Sequence, residues 1–230
     1  MLEIRLFLFK LKNFILIIKS RILKKKTKSK YKILKKSFEN FIETKNFSQK
    51  WFLNNFDVFH HYLPKDHNAN FSYLEIGSYE GLSALNILYN FKNSKVTTID
   101  LWDKSNINSE SINVNFREIE DKFNQNLKDY EYTKIKSDSV TALREILKKN
   151  IFFDMIYIDG SHNGEDILCD AIESYKLLNI GGIIIFDDVV NANKNISIQS
   201  YVGFEKFYEI YKKKIKILFL KNIAVVKKIK

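Results

Sequence analysis

Phe71-Ser72-Tyr73-Leu74-Glu75-Ile76-Gly77-Ser78-Tyr79-Glu80-Gly81-Leu82-Ser83 is the stretch on which the reading of the whole chain turns. Its first half is a short apolar strand, which breaks into a glycine loop and then enters a helix. The chain holds only seven glycines, and two of them, Gly77 and Gly81, stand in this loop. Without a Cβ the backbone can turn tightly and a ligand can come close to it. A loop feeding a helix also offers backbone N–H groups to a polar ligand. Alone, the stretch reads equally well as an ordinary strand–turn–helix joint. The residues downstream tip the balance.

From there outward, apolar strand-like runs alternate with helical periodicity. Strands are expected at 71–76, 96–99, 132–135, 153–158 and 182–186, and helices at 82–91, 116–127, 140–148, 165–178 and 203–211. Two further strands, 215–220 and 223–226, flank Lys221-Asn222 as a closing antiparallel hairpin. Such alternation predicts a largely parallel sheet covered on both faces. Upstream, residues 38–63 are helical in pattern, with Phe38, Phe41, Ile42, Trp51, Phe52, Phe56 and Phe59 turned inward and the single proline, Pro64, closing the segment. His60 and His61 are adjacent helix positions pointing in different directions, which disfavours a shared metal. The expected divisions are a basic amphipathic segment over 1–37, a helical lead-in over 38–69 and the main domain over 70–230.

Charge follows these divisions. The formal net charge is +11, but residues 1–50 carry +12, residues 51–204 carry −8 and residues 205–230 carry +7. An acidic middle argues against nucleic-acid binding by the central domain. The single cysteine, Cys169, excludes an intramolecular disulfide framework and is simplest in a reducing, cytoplasmic setting. Residues 6–18 are mostly apolar, yet too short and too charged to span a bilayer. On a helix, Phe7, Leu11, Phe14 and Ile18 share one side, flanked by Leu8 and Ile15, with Arg5, Lys10, Lys12, Asn13 and Lys19 opposite. That pattern, followed by a run of cations to Lys36, fits peripheral contact of residues 1–36 with an anionic membrane at its inner face. The alternative is a helix packed on its own domain or on a partner.

In an open α/β sheet, ligands sit beyond the carboxyl ends of the strands. Acids cluster at those ends here: Glu75, Asp100, Asp159 and the pair Asp187-Asp188. Carboxylates gathered along one edge repel each other unless a cation or polar ligand offsets them. Asp100 lies 19 residues after Gly81 and ends the second strand, the placement of an acid that accepts a ribose diol. A strand-end cap is the alternative. Asp138 can receive an adenine amino group or cap the helix that follows it. Asp159, Asp187 and Asp188 are oxygen donors suited to a hard cation such as Mg²⁺. His162, just past Asp159, is placed either to take a proton from a hydroxyl or to bond backbone as a loop histidine.

With these residues set out, the chain resembles the class I S-adenosylmethionine-dependent methyltransferases. The resemblance rests on residues 74–81, the strand ending in Asp100, Phe153-Asp154-Met155-Ile156-Tyr157-Ile158-Asp159-Gly160-Ser161-His162, and residues 178–188. Within that class the chain looks most like the metal-dependent O-methyltransferases, and more like those acting on sugar hydroxyls and the cephalosporin-hydroxylase-like group than like the catechol type. The resemblance implies an α/β, Rossmann-like, doubly wound fold, with a mostly parallel seven-stranded sheet and a C-terminal antiparallel hairpin. It also implies that Glu75, Gly77, Ser78, Tyr79, Gly81 and Ser83 surround the methionine part of S-adenosylmethionine, with Asp100 on its ribose and Asp138 near its adenine. Asp159, Asp187 and Asp188 would then hold Mg²⁺, with Asp159 and His162 as the catalytic pair and His162 as general base. Catechol-type enzymes carry Asp-Asn where this chain has Asp187-Asp188, which points away from that branch.

The expected reaction is methylation of a hydroxyl on a small molecule or saccharide. An NAD-dependent reading would want a tighter GxGxxG loop than Gly77–Gly81 provides. A non-catalytic nucleotide-binding partner protein would have no need of Asp159, Asp187 and Asp188 together. A hydroxylase-like iron enzyme would want two histidines with one carboxylate, whereas these donors are all oxygens.

Overall fold

The computed structural model describes residues 8–103, 115–189 and 194–230. The chain enters through helices α1 (Phe14–Lys30) and α2 (Lys32–Ile42), a 3-10 turn (Trp51–Asn54) and α3 (Phe56–Tyr62). It then alternates through β1 (Ser72–Ile76), α4 (Leu82–Asn90), β2 (Lys95–Asp100), α5 (Phe116–Leu127), β3 (Thr133–Lys136) and α6 (Ser139–Lys148). The second half runs β4 (Phe153–Ile158), α7 (Gly164–Leu177), β5 (Leu178–Phe186), α8 (Lys194–Tyr211), β6 (Ile215–Leu220) and β7 (Ala224–Lys228). The seven strands form one sheet in the order β3-β2-β1-β4-β5-β7-β6. Every pairing is parallel except those of β7, which runs antiparallel to both β5 and β6. This is the expected Rossmann-like, doubly wound sheet with its closing hairpin.

The central strands explain why the sheet is covered on both sides. Alternate residues of a strand point to opposite faces, and in β1 and β4 both sets are buried. Tyr73, Met155 and Tyr157 face a core built with Phe38, Phe56, Phe59, Leu85 and Phe123. Leu74, Ile76, Ile156 and Ile158 face a second core with Leu143, Ile146, Phe204 and Phe207. The chain order β1-β2-β3 grows outward on one side of β1, and β4 returns to its other side. The crevice at this reversal, between the carboxyl ends of β1 and β4, is where such sheets bind ligands.

Three expectations change. Residues 38–63 are not one helical stretch, because the chain leaves α2 after Ile42 and resumes at the 3-10 turn. In between, Asn46 N–H donates to Asn126 Oδ1 (2.8 Å) and Ser48 N–H to Glu80 Oε2 (2.6 Å), so side chains of α5 and the glycine loop take backbone groups a helix would use. Trp51 faces outward at 58 % exposure, while Phe38, Ile42, Phe52, Phe56 and Phe59 are buried as expected. Helix α8 starts at Lys194 and runs through Gly203 rather than beginning there. A Cβ on Gly203 would stand 2.6 Å from the Gly164 carbonyl oxygen, so this glycine serves close packing of α8 on α7.

Candidate active site

The carboxyl edge extends the parallel ladder by one residue on each strand. Gly77 N–H donates to the Ile99 carbonyl (2.9 Å), Asp159 N–H to that of Ile76 (2.9 Å), and Asp187 N–H to that of Ile158 (3.0 Å). Asp100, Gly77, Asp159 and Asp187 therefore stand in a row across β2, β1, β4 and β5. The loops are held by main-chain bonds, so the side chains at this edge are positioned by the sheet itself.

Two glycines shape the loop for different reasons. Gly77 has φ +84° and would put a Cβ 2.3 Å from the Asp159 carbonyl oxygen and 2.4 Å from the Gly160 Cα. The β1 and β4 loops touch backbone to backbone here. Gly81 has φ +85°, and its Cβ would meet Leu127 at 2.5 Å and Phe123 at 2.9 Å, so it seats the start of α4 against α5. Between them, Tyr79 also adopts a positive φ of 49°. It is held there by Asp100, whose Oδ2 accepts from Tyr79 N–H (2.8 Å) while Oδ1 accepts from Trp102 N–H (2.9 Å). The Trp102 indole N–H returns to the Tyr79 carbonyl (2.9 Å), closing a staple between the two loops. Burial raises the Asp100 pKa, opposed by these backbone donors. The backbone N–H groups of Ser78 and Leu101 also act on the Asp100 carboxylate, so the whole start of both loops is turned toward it.

Beneath the loop, Glu75 is fully buried and accepts from Tyr73 O–H at Oε2 (2.7 Å). Its Oε1 and the Ser78 hydroxyl are buried without a hydrogen-bond partner. Burial pushes the Glu75 carboxyl up to about 7, against the pull of the nearby Ser83, Tyr73 and Ser78 hydroxyls. Ser83 lies in the first turn of α4, also buried. Glu80 points away from this group, toward Ser48 and, at 3.5 Å, Lys122. Asp138 is the N-cap of α6, accepting from Thr141 N–H (2.9 Å), and that bond holds its pKa down. The capping alternative for Asp138 is realised.

The second focus gathers around Tyr157. Its hydroxyl stands 2.9 Å from Asp159 Oδ2 and 2.8 Å from Asp187 Oδ2. One phenolic proton serves one carboxylate, so the second contact requires a further proton or another cation between the acids. Burial, and then the Asp187 charge, push the Asp159 pKa well up, while burial and the Asp188 charge raise that of Asp187. Asp187 Oδ1 also accepts from Asn55 Nδ2 (3.0 Å) and from Asp188 N–H (2.9 Å). Asn222 Nδ2 in turn donates to Asn55 Oδ1 (2.7 Å), so the hairpin tip and the start of α3 brace the site from behind. Asp188 has φ +49°, and its Oδ2 lies 4.0 Å from Nε2 of the exposed His162. The charge of this group fits a hard cation. Its arrangement does not yet close on one: among the described residues no three His, Cys, Asp or Glu side chains are grouped to hold a metal ion.

Tyr157, Asn55, Asn222 and Trp102 escaped the sequence reading. One signal was available: Tyr73-Leu74-Glu75 and Tyr157-Ile158-Asp159 place a tyrosine two residues before the acid in adjacent strands, hence on the acid's own face. Residues 104–114 and 190–193 lie outside the described residues. A cavity of about 420 Å³ opens between Trp102, Phe116, Arg117 and Lys136, at the β2–β3 end rather than over Asp159 and Asp187.

Comparison with known proteins adds to this geometry. The profile of a family described as a methyltransferase domain matches residues 74–189, half of the chain. An uncharacterized protein of Acanthamoeba polyphaga mimivirus, R132, is 29% identical over 121 residues, which are 51% of this chain and 51% of R132. The chain thus spans about half the length of that curated relative. Among solved structures, the MycE methyltransferase of the mycinamycin biosynthetic pathway, bound to Mg, S-adenosylhomocysteine and mycinamycin VI, superposes with a TM-score of 0.53 at 18% identity. The match covers 89% of this chain and 54% of MycE. An O-methyltransferase from Bacillus cereus in complex with S-adenosylhomocysteine gives 0.51 at 19% identity, over 84% of this chain and 97% of that one. At these identities the likeness is one of fold.

Proposed function

This chain belongs to the methyltransferase-domain family, and on that premise we propose that it transfers a methyl group from S-adenosylmethionine to a hydroxyl of a small molecule or saccharide. The observation that carries the reading is the row of acids on the carboxyl edge. Asp100 staples the glycine loop at one end, and Asp159, Asp187 and Asp188 stand beside His162 at the other. Asp100 would take the ribose and the loop from Glu75 to Ser83 the methionine part. Asp138, already spent on its cap, would reach adenine only through its second oxygen. S-adenosylmethionine supplies a methyl already activated on a sulfonium; the C–S electron pair stays with sulfur and S-adenosylhomocysteine leaves. Mg²⁺ held by Asp159, Asp187 and Asp188 would, when bound, lower the pKa of the acceptor hydroxyl.

His162 then takes the hydroxyl proton as the new O–C bond forms. Asp188, 4.0 Å away, offsets the charge that develops on the imidazolium. Tyr157 keeps Asp159 and Asp187 pointing at one spot, and Asn55 holds Asp187 from behind. Alignment of oxygen with methyl supplies most of the remaining rate. The MycE complex, which holds Mg, S-adenosylhomocysteine and mycinamycin VI, supports the cofactor, the metal and a small-molecule acceptor.

The test is transfer of labelled methyl to a panel of saccharides, phenols and amines, with Mg²⁺ or with chelator. His162→Ala is expected to cut transfer to hydroxyl acceptors by about 10²–10⁴-fold with S-adenosylmethionine binding unchanged. Transfer confined to amines, or transfer indifferent to His162→Ala, overturns the proposal.

A further inference from the structure

The N-terminal helix docks with one face and leaves the other apolar face outside. Residues 8–12 are helical and lead into α1. The inward stripe is Phe9, Ser20 and Thr27, all buried. Phe9 packs edge-on against Tyr201 at 5.3 Å and Phe204 at 6.2 Å, and Ser20 Oγ accepts from Leu220 N–H (2.9 Å). The helix is thereby fixed along β6, the last strand of the sheet, and covers its edge. This attachment uses none of the side chains on the opposite face.

That opposite face carries Leu8, Leu11, Ile15, Ile18 and Ile22 at alternating spacings of three and four, with Phe14 alongside. All six are exposed, from 38 % at Ile18 to 69 % at Ile15. At 100° per residue they occupy an arc of about 120°. Lys12, Lys19 and Lys26 border the arc on one side, and Arg21, Lys25 and Lys28 on the other, all exposed. No acidic residue occurs between Ile4 and Phe38. An apolar ridge of this length is uncommon on a solvated helix that already has its docking face. The expected apolar face of this segment is therefore outward, not spent on the protein's own core, although Arg5 and Phe7 of that expectation lie outside the described residues.

We propose that this face lies on an anionic lipid bilayer, with the ridge in the acyl boundary and the two rows of cations among the headgroups. Charge selects this occupant. In a second copy the same ridge would bring lysine rows against lysine rows with no acid to offset them. Nucleic acid would satisfy the cations and leave the ridge wet. No helix among the described residues is long and apolar enough to cross a membrane, so the contact is peripheral. Leu220, where Ser20 is bonded, pairs through Ala224 to Phe186 next to Asp187, so the helix docks level with the carboxyl edge of the sheet. The inference does not depend on the reaction proposed above.

The test is flotation of the full chain with vesicles of phosphatidylcholine, alone or with about one-third phosphatidylglycerol. Wild type is expected to float with the anionic vesicles and to detach as salt rises. Ile15→Glu/Ile18→Glu should weaken the partition at least about tenfold, and Lys12→Gln/Lys19→Gln/Lys26→Gln by about two orders of magnitude at low salt. Both variants alter exposed positions, and unchanged thermal midpoints will confirm their fold. Wild type that stays behind with anionic vesicles overturns the proposal. So does binding undiminished by Ile15→Glu/Ile18→Glu, or a dimer that this variant dissolves in a protein that ignores vesicles, or binding to duplex DNA in place of lipid.

Discussion

Gly77→Ala is the substitution for which the structure gives the sharpest expectation. The added methyl meets two separate penalties. At φ +84° an L-residue other than glycine sits in the left-handed region, at a cost of about 1–2 kcal/mol. The methyl also lands 2.3 Å from the Asp159 carbonyl oxygen and 2.4 Å from the Gly160 Cα, main-chain atoms fixed by the Asp159 N–H bond to Ile76. A clash with backbone cannot be relieved by a rotamer, so an overpacking cost of about 1–3 kcal/mol is added. The sum is about 2–5 kcal/mol. Two neighbours calibrate it. Gly81→Ala carries the same φ penalty, but its closest contacts are the Leu127 and Phe123 side chains, which can shift; about 1–3 kcal/mol is expected. Gly160→Ala has no positive φ, and its methyl would lie 3.4 Å from Ile76 Cγ2, so its cost is expected below about 0.5 kcal/mol. Urea unfolding midpoints at one pH give the order directly. Gly77→Ala as mild as Gly160→Ala would refute the claim that the β1 and β4 loops are in backbone contact.

Two further outcomes are expected. Burial holds the His60 pKa near 4 against 6.5 for the free side chain, so the unfolded chain binds the extra proton between those values. Stability from this group is therefore present above pH 6.5 and lost as pH falls toward 4, by about 3 kcal/mol over the window. Glu75, raised to about 7, acts in the opposite sense, so the comparison should be wild type against His60→Gln, and parallel stability curves would contradict the assignment. Phe38→Ala empties a buried site packed on Phe56 and Tyr89 and should cost about 3–5 kcal/mol, while Trp51→Ala should cost under about 1; equal losses in thermal melts would show that the turn at Trp51 is packed otherwise.

The sequence disclosed most of what repeats and little of what crosses between elements. Short strand-like runs such as 71–76 and 153–158 alternating with helical periodicity, and the acids at or next to the strand ends, made the parallel sheet and its carboxyl edge legible. Local patterns misled where a residue serves a distant partner. Gly203 read as a helix start because its packing partner is Gly164, and 38–63 read as continuous because Asn126 and Glu80 compete for its backbone from far along the chain. The brace of Asn55 and Asn222 on Asp187 spans separations of 132 and 167 residues, which no short window can register. Trp51 was expected inside on apolarity alone, but it rests at the surface against Tyr79, ring centroids 5.5 Å apart.

Calorimetric titration of S-adenosylmethionine into wild type and Asp100→Asn, each with and without Mg²⁺, tests the central claim most directly. Asp100→Asn keeps one acceptor oxygen for the loop and removes the charge, and its fold can be checked by the same melting midpoint. The account predicts micromolar binding to wild type that weakens at least about tenfold in Asp100→Asn, the loss of a charge-assisted hydrogen bond. A folded wild type that takes up no S-adenosylmethionine in either condition, or binding indifferent to Asp100, would contradict it.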